Sequence, residues 1–101
     1  MINGAIFNSS LVITQERIIP DWRPQTFNEL EAADFELLCA EKPDLVLLGT
    51  GPQQKFPPAS LYESLISAGI GLEIMSTPAA CRTYNILIAE GRRVATALLL
   101  A

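Results

Sequence analysis

The sequence predicts an α/β domain: a central mixed sheet with a parallel βαβ core, helices on its faces, and an N-terminal β hairpin or small extra β layer. Three observations carry that prediction. From residue 44 onward, short apolar runs alternate with amphipathic segments, and Gly or Pro punctuates nearly every junction. The 101 residues leave room for one hydrophobic core, so residues 1–101 form a single domain. Half of them are hydrophobic and only 18% are charged, an apolar content that favours folding over disorder.

The elements follow in order. Residues 5–7 and 11–13 are apolar runs separated by Asn8, Ser9 and Ser10. Turn-forming residues between β-formers predict a hairpin or a bent strand pair. Pro20, Trp22 and Pro24 then punctuate an irregular connection, with the Trp22 ring capping the edge of the core; stacking on a ligand is the alternative. A first helix lies within residues 27–41. Thr26 and Glu29 fit a capping box, and a start near Ala32 is the other option. Phe35 and Leu38, with Leu30 and Leu37, supply its buried face.

Pro43 stops that helix, and the continuous run Leu45, Val46, Leu47, Leu48 reads as a strand covered on both faces that ends at Gly49. After a loop over residues 49–58, Pro57 and Pro58 introduce a helix at 59–68. Its stripe is Leu61, Leu65 and Ala68, with Gly69 closing it. Residues 72–75 form the next strand. Thr77 is the expected N-cap of a third helix, with Pro78 at its first position, running to about Glu90 before Gly91. A final strand occupies residues 93–100.

Strand, helix, strand over residues 44–76 is a βαβ unit, for which parallel pairing is favoured. The turns at 49–51 and 76–78 would then share one rim, and open α/β sheets take ligands outside the carboxyl ends of their strands. Gly49, Thr50, Gly51, Gln53 and Phe56 come to this rim from one loop; Ser76, Thr77, Arg82 and Asn85 come from the other. Neither loop carries a complete phosphate motif. Gln54 stands where a dinucleotide fingerprint needs its third glycine, and Phe56 follows Lys55 where a P-loop needs Ser or Thr.

A helix start at Thr77, with small Ala79 and Ala80 and a donor at Arg82, has the chemistry to hold an anion. The plainer reading is a capped helix whose alanines pack on the sheet. Cys81 stands beside Arg82 in a setting that can lower a thiol pKa, although a buried, inert cysteine is the competing reading. Asn85 lies nearly over Arg82 on the helix surface. Asp34, Glu36 and Glu73 show no paired-carboxylate spacing and read as solvated faces.

Composition narrows the function classes. Histidine is absent, which removes His-based triads, the commonest general base and imidazole metal sites. Cys39 and Cys81 stand alone, with no zinc spacing and no disulfide framework, as in a reducing compartment. A net charge of −4 argues against nucleic acid and anionic lipid as partners. No signal-peptide pattern and no apolar run of membrane-spanning length is found, so the expected location is cytoplasmic, without membrane insertion.

One segment has a familiar cast. Residues 43–51, the Gln53 to Pro57 loop, Gly69-Ile70-Gly71, residues 75–85 and residues 90–95 together resemble the domain-of-unknown-function 498 family. That family includes mitochondrial complex I assembly factor 3 and an adipogenesis-associated protein. Residues 2–38 match more loosely, through Asn3-Gly4, Trp22 and Asp34-Phe35. The resemblance implies a mixed sheet with helices on its faces and a small β addition, roles in assembly and protein interaction, and no established enzyme activity. Family members carry extra residues before the point where this chain begins, which implies a shortened edge strand here.

The resulting expectation is a non-catalytic binding or assembly-type protein, linked to respiratory complex biogenesis by that resemblance. It needs no catalytic residue, metal or cofactor, and it meets a protein partner at the rim. The alternative is an enzyme or carrier for a small anionic ligand held near Thr77. The sequence specifies no oligomeric state.

Overall fold

The computed structural model describes residues 8–14 and 16–100. In chain order these form β1 (Leu11–Ile13), β2 (Ile18–Pro20), α1 (Ala32–Ala40), β3 (Leu45–Thr50), α2 (Glu63–Ser67), β4 (Gly71–Met75), α3 (Thr77–Ala89) and β5 (Val94–Leu99). The sheet order is β2-β1-β5-β3-β4. β3 runs parallel to both β4 and β5, whereas β1 is antiparallel to β5 and to β2. The mixed α/β sheet expected from the sequence is the one observed.

The apolar run of β3 is buried along its whole length because helices cover both of its faces. Val46 and Leu48 join Phe35, Leu38 and Leu65 in a cluster under α1 and α2. Leu45 and Leu47 join Ala80 and Tyr84 in a second cluster under α3. Crossover direction produces this division. The chain passes through α2 to reach β4 on one side of β3, then returns through α3 to β5 on the other. Two right-handed crossovers of opposite sense must place their helices on opposite faces.

An N-terminal hairpin is present, but its second strand is not the one expected. β1 pairs with Ile18–Pro20, while residues 5–7 lie outside the described residues. Thr14 makes the turn: its N–H donates to the Arg17 carbonyl at 2.9 Å, and its hydroxyl accepts the Arg17 N–H at 3.1 Å. Pro20 is tolerated because β2 is an edge strand whose outer side needs no ladder bond. Beyond it, Asp21 adopts a φ of 55° and turns the chain inward. Trp22 follows, 3% exposed and packed into the α1/α2 cluster as a core residue.

Both starts considered for the first helix are used. The Glu29 carboxylate accepts the Thr26 N–H, but that box closes only a 3₁₀ turn, Phe27–Glu29. α1 begins at Ala32, where the Asp34 carboxylate accepts the Glu31 N–H at 2.8 Å. Asp34 is therefore not on a solvated face. It is 5% exposed and held by a two-point contact from Arg23, Nε to Oδ1 at 3.0 Å and a terminal nitrogen to Oδ2 at 2.6 Å. Leu37 points outward at 44% exposure, since Phe35 and Leu38 already define the buried stripe. The second helix is a 3₁₀ turn, Ala59–Tyr62, followed by the short α2; Leu65 is its buried anchor and Ala68 is exposed.

One polar group in the middle of the sheet lacks a partner. Thr96 of β5 is fully buried opposite Ile13 and Leu47, and its hydroxyl makes no hydrogen bond among the described residues. Valine has the same branched shape without the unpaired hydroxyl. Thr96→Val is expected to raise the unfolding free energy by about 1 kcal/mol, read as a higher urea midpoint at unchanged slope. A lower midpoint would show that the hydroxyl is satisfied after all.

Candidate functional site

The carboxyl ends of β3 and β4 lie side by side, with Gly49 in register with Met75. On its other flank Thr50 is in register with Leu99 of β5. The end of β3 is thus a change in winding direction, the position where open α/β sheets form ligand crevices. Here α3 starts directly over it.

The reason is Gly49. A Cβ at this residue would stand 2.9 Å from the Thr77 Cα and 2.9 Å from its hydroxyl, so only glycine admits the helix this closely. Thr77 uses the approach fully. Its N–H donates to the Gly51 carbonyl at 2.8 Å, its hydroxyl accepts the Gly51 N–H at 2.8 Å, and the same hydroxyl donates to the Leu99 carbonyl. Gly51 meets this geometry with a φ of 96°, in the region that glycine occupies freely.

The loop after β3 is braced in the same manner. The Thr50 hydroxyl donates to the Gln53 carbonyl at 2.6 Å and accepts the Lys55 N–H at 3.0 Å. The Gln54 side-chain amide donates to the Ile74 carbonyl of β4 at 2.8 Å. Lys55 also sets its ammonium 5.9 Å from the centre of the Phe27 ring. Under this loop Phe27, Leu30, Pro57, Pro58 and Leu61 line an apolar hollow of about 340 Å³. Sequence reasoning missed that hollow, because Phe27 and Leu30 meet Pro57 and Pro58 only in the fold.

The N-cap of α3 is Ser76, one residue earlier than expected; Thr77 and Pro78 are the first two helical residues. The Ser76 hydroxyl accepts the Ala79 N–H at 3.4 Å, and its carbonyl accepts the Ala80 N–H at 2.9 Å. Pro78 has no N–H, and that of Thr77 is bound to Gly51. The donors of the first turn are thus satisfied from within the chain. An anion at this point would meet the field of the helix but no free main-chain donor.

The nine rim residues consequently divide into two sets. Gly49, Thr50, Gly51, Ser76 and Thr77, with the main chain of Gln53, form an internal knot. Phe56, Arg82 and Asn85, with the Gln53 side chain, face outward. Phe56 is 68% exposed. Cys81 is half-buried, and burial pushes its thiol up despite the opposing charge of Arg82, the reverse of an activated cysteine. No group of three or more acidic, Cys or His side chains gathers among the described residues, and none of their helices is long and apolar enough to cross a membrane.

Comparison with known proteins adds a lineage to this geometry. A family described as Protein of unknown function (DUF498/DUF598) matches residues 1–99. An uncharacterized protein of Rhodobacter capsulatus is 39% identical over 97% of this chain and 74% of its own. The human NADH dehydrogenase [ubiquinone] 1 alpha subcomplex assembly factor 3 is 26% identical over 95% of this chain. The alignment spans only 55% of that factor's length. A Francisella tularensis protein named 13 kDa major membrane protein is also 26% identical, over 93% of this chain and 77% of its own.

Among solved structures, a Bordetella parapertussis protein superposes with a TM-score of 0.91 at 35% identity, covering 98% of this chain and 85% of that one. A Bordetella pertussis protein described as an Mth938-like domain superposes at 0.81 with 30% identity, over 96% and 77%.

Two expected outcomes follow from the knot and the thiol. Thr77→Val strands the Gly51 N–H and the Leu99 carbonyl and is expected to cost about 2–4 kcal/mol of stability in denaturant unfolding, whereas Thr77→Ser retains most of it. Equal losses in the two variants would remove the hydroxyl from the account. In a Cys39→Ser background, Cys81 of the folded protein should alkylate more slowly near pH 7 than the same residue in denaturant. A faster folded-state reaction would reverse the assignment of an inert thiol.

Proposed function

The chain belongs to the DUF498/DUF598 family, which includes complex I assembly factors, and we propose that it is a non-catalytic binding protein of assembly type, working through its carboxyl-end rim. The observation that carries this reading is the division of the rim. Polar groups that could serve a small ligand are consumed by the Thr77 knot, while a large aromatic and a guanidinium remain outside on a braced loop and a firmly seated helix. Aromatic and arginine side chains dominate the energetics of protein contacts. Holding them on a pre-ordered surface reduces the entropy lost on association.

The partner class this reading names is a subunit or assembly intermediate of a respiratory NADH dehydrogenase. The anionic-ligand alternative has weaker support, because the helix start offers no free main-chain donor and Arg82 would have to act from an exposed position. We place the activity in the cytoplasm, where free cysteines such as Cys39 and Cys81 stay reduced.

The test is affinity purification of the tagged full chain from its own cells, with NADH dehydrogenase subunits quantified. The wild-type chain should retain them. Phe56→Ala with Arg82→Ala should lower the yield about tenfold or more at an unchanged melting temperature. If the wild-type chain retains no such subunit, the assembly reading fails. If the double variant retains them undiminished, the rim is not the contact.

A further inference from the structure

The sheet has two edges, and they are treated differently. β2 carries Pro20, which blunts one of them. β4 is the other, a regular strand of five residues paired on its inner side with β3 and containing no proline, lysine or break in register. In a strand the N–H and C=O of one residue point to the same side. The Gln54 amide reaches the Ile74 carbonyl away from β3, while the Thr50 hydroxyl of β3 lies 3.2 Å from the Met75 carbonyl on the inner side. Ile74 and Leu72 therefore turn their main-chain groups outward. Of those four groups only the Ile74 carbonyl meets a loop or side-chain partner among the described residues.

The side chains say what would fit. Glu73, in the middle of β4, is exposed and has no ion-pair partner among the described residues. Two copies of β4 pairing antiparallel in the central register, Leu72 against Ile74, would bring Glu73 directly opposite its own copy. Like charges in that position are destabilising, whereas an opposite charge stabilises the pair. We propose that the β4 edge accepts an extended segment of another protein, added as a further antiparallel strand, with a lysine or arginine opposite Glu73. Gln54 already shows the mode of contact, since its amide takes the place of one strand donor at the Ile74 carbonyl. Recognition by strand addition draws affinity from main-chain bonds and selectivity from alternate side chains. This proposal rests on the strand geometry of β4 and not on Phe56 or Arg82, so failure of the assembly reading leaves it standing.

The probe is a short synthetic peptide of alternating valine and threonine with lysine at its centre, compared with one bearing glutamate there. Amide exchange and affinity are read by NMR titration of the full chain. The lysine peptide should slow exchange at Leu72 and Ile74 and bind about three- to tenfold more tightly than the glutamate peptide, and Glu73→Lys should invert that order. Glu73 is exposed, so the variant keeps the fold. No protection with either peptide overturns the proposal, as does a preference that Glu73→Lys leaves unchanged. Protection that grows with protein concentration in the absence of peptide assigns the edge to a second copy and also overturns it.

Discussion

The close approach of α3 to the end of β3 is the constraint on which the rest of the domain depends. Without a side chain at Gly49 the helix start can lie over the strand, and with Thr77 in that place three strands are fastened at one point. Gly51 follows directly on β3, Leu99 belongs to β5, and Ser76 leads directly out of β4. The crossover from β4 back to β5 must carry its helix over β3, and this contact fixes the height at which it does so. Each of these buried polar groups would be costly if left unpaired, so the knot is also a condition on the loop that follows β3.

That constraint shapes what the surface can offer. A crevice at a switch point ordinarily exposes main-chain donors to a ligand. Here the donors are turned inward, while Gln53, Phe56, Arg82 and Asn85 are exposed. The loop bearing Phe56 is held by Thr50, Gln54 and the Lys55 contact with Phe27, so its presentation is set by the fold.

Much of this was legible in the residues, and the exceptions share a cause. The run Leu45 to Leu48 read as a doubly covered strand and is one, and Pro43, Gly69 and Gly91 marked real boundaries. β2 was hidden because Pro20 is a turn signal unless the strand lies at an edge, which is a tertiary fact. Asp34 looked solvated because its partner Arg23 lies outside the helix, on the segment that enters it. Ser76 and Thr77 are both good caps. What decides between them is the Leu99 carbonyl and the bare backbone of Gly49, neither of which is near them in sequence. The side-by-side ends of β3 and β4 were legible from strand order, but the inward turn of the donors there depended on pairings across the sheet.

The pairing of β1 with β5 has a consequence for how the molecule comes into being. Leu11 is in register with Leu98 and Ile13 with Thr96, so β1 is matched to a strand far from it in sequence. Until β5 emerges, the β1–β2 hairpin has no inner neighbour, and a lone two-stranded ribbon is only marginally stable in water. Closing so long a loop is slow, and the waiting strands display unpaired edges throughout synthesis. Docking of β1 and β2 onto the sheet therefore waits for a segment more than eighty residues beyond β1 in the chain.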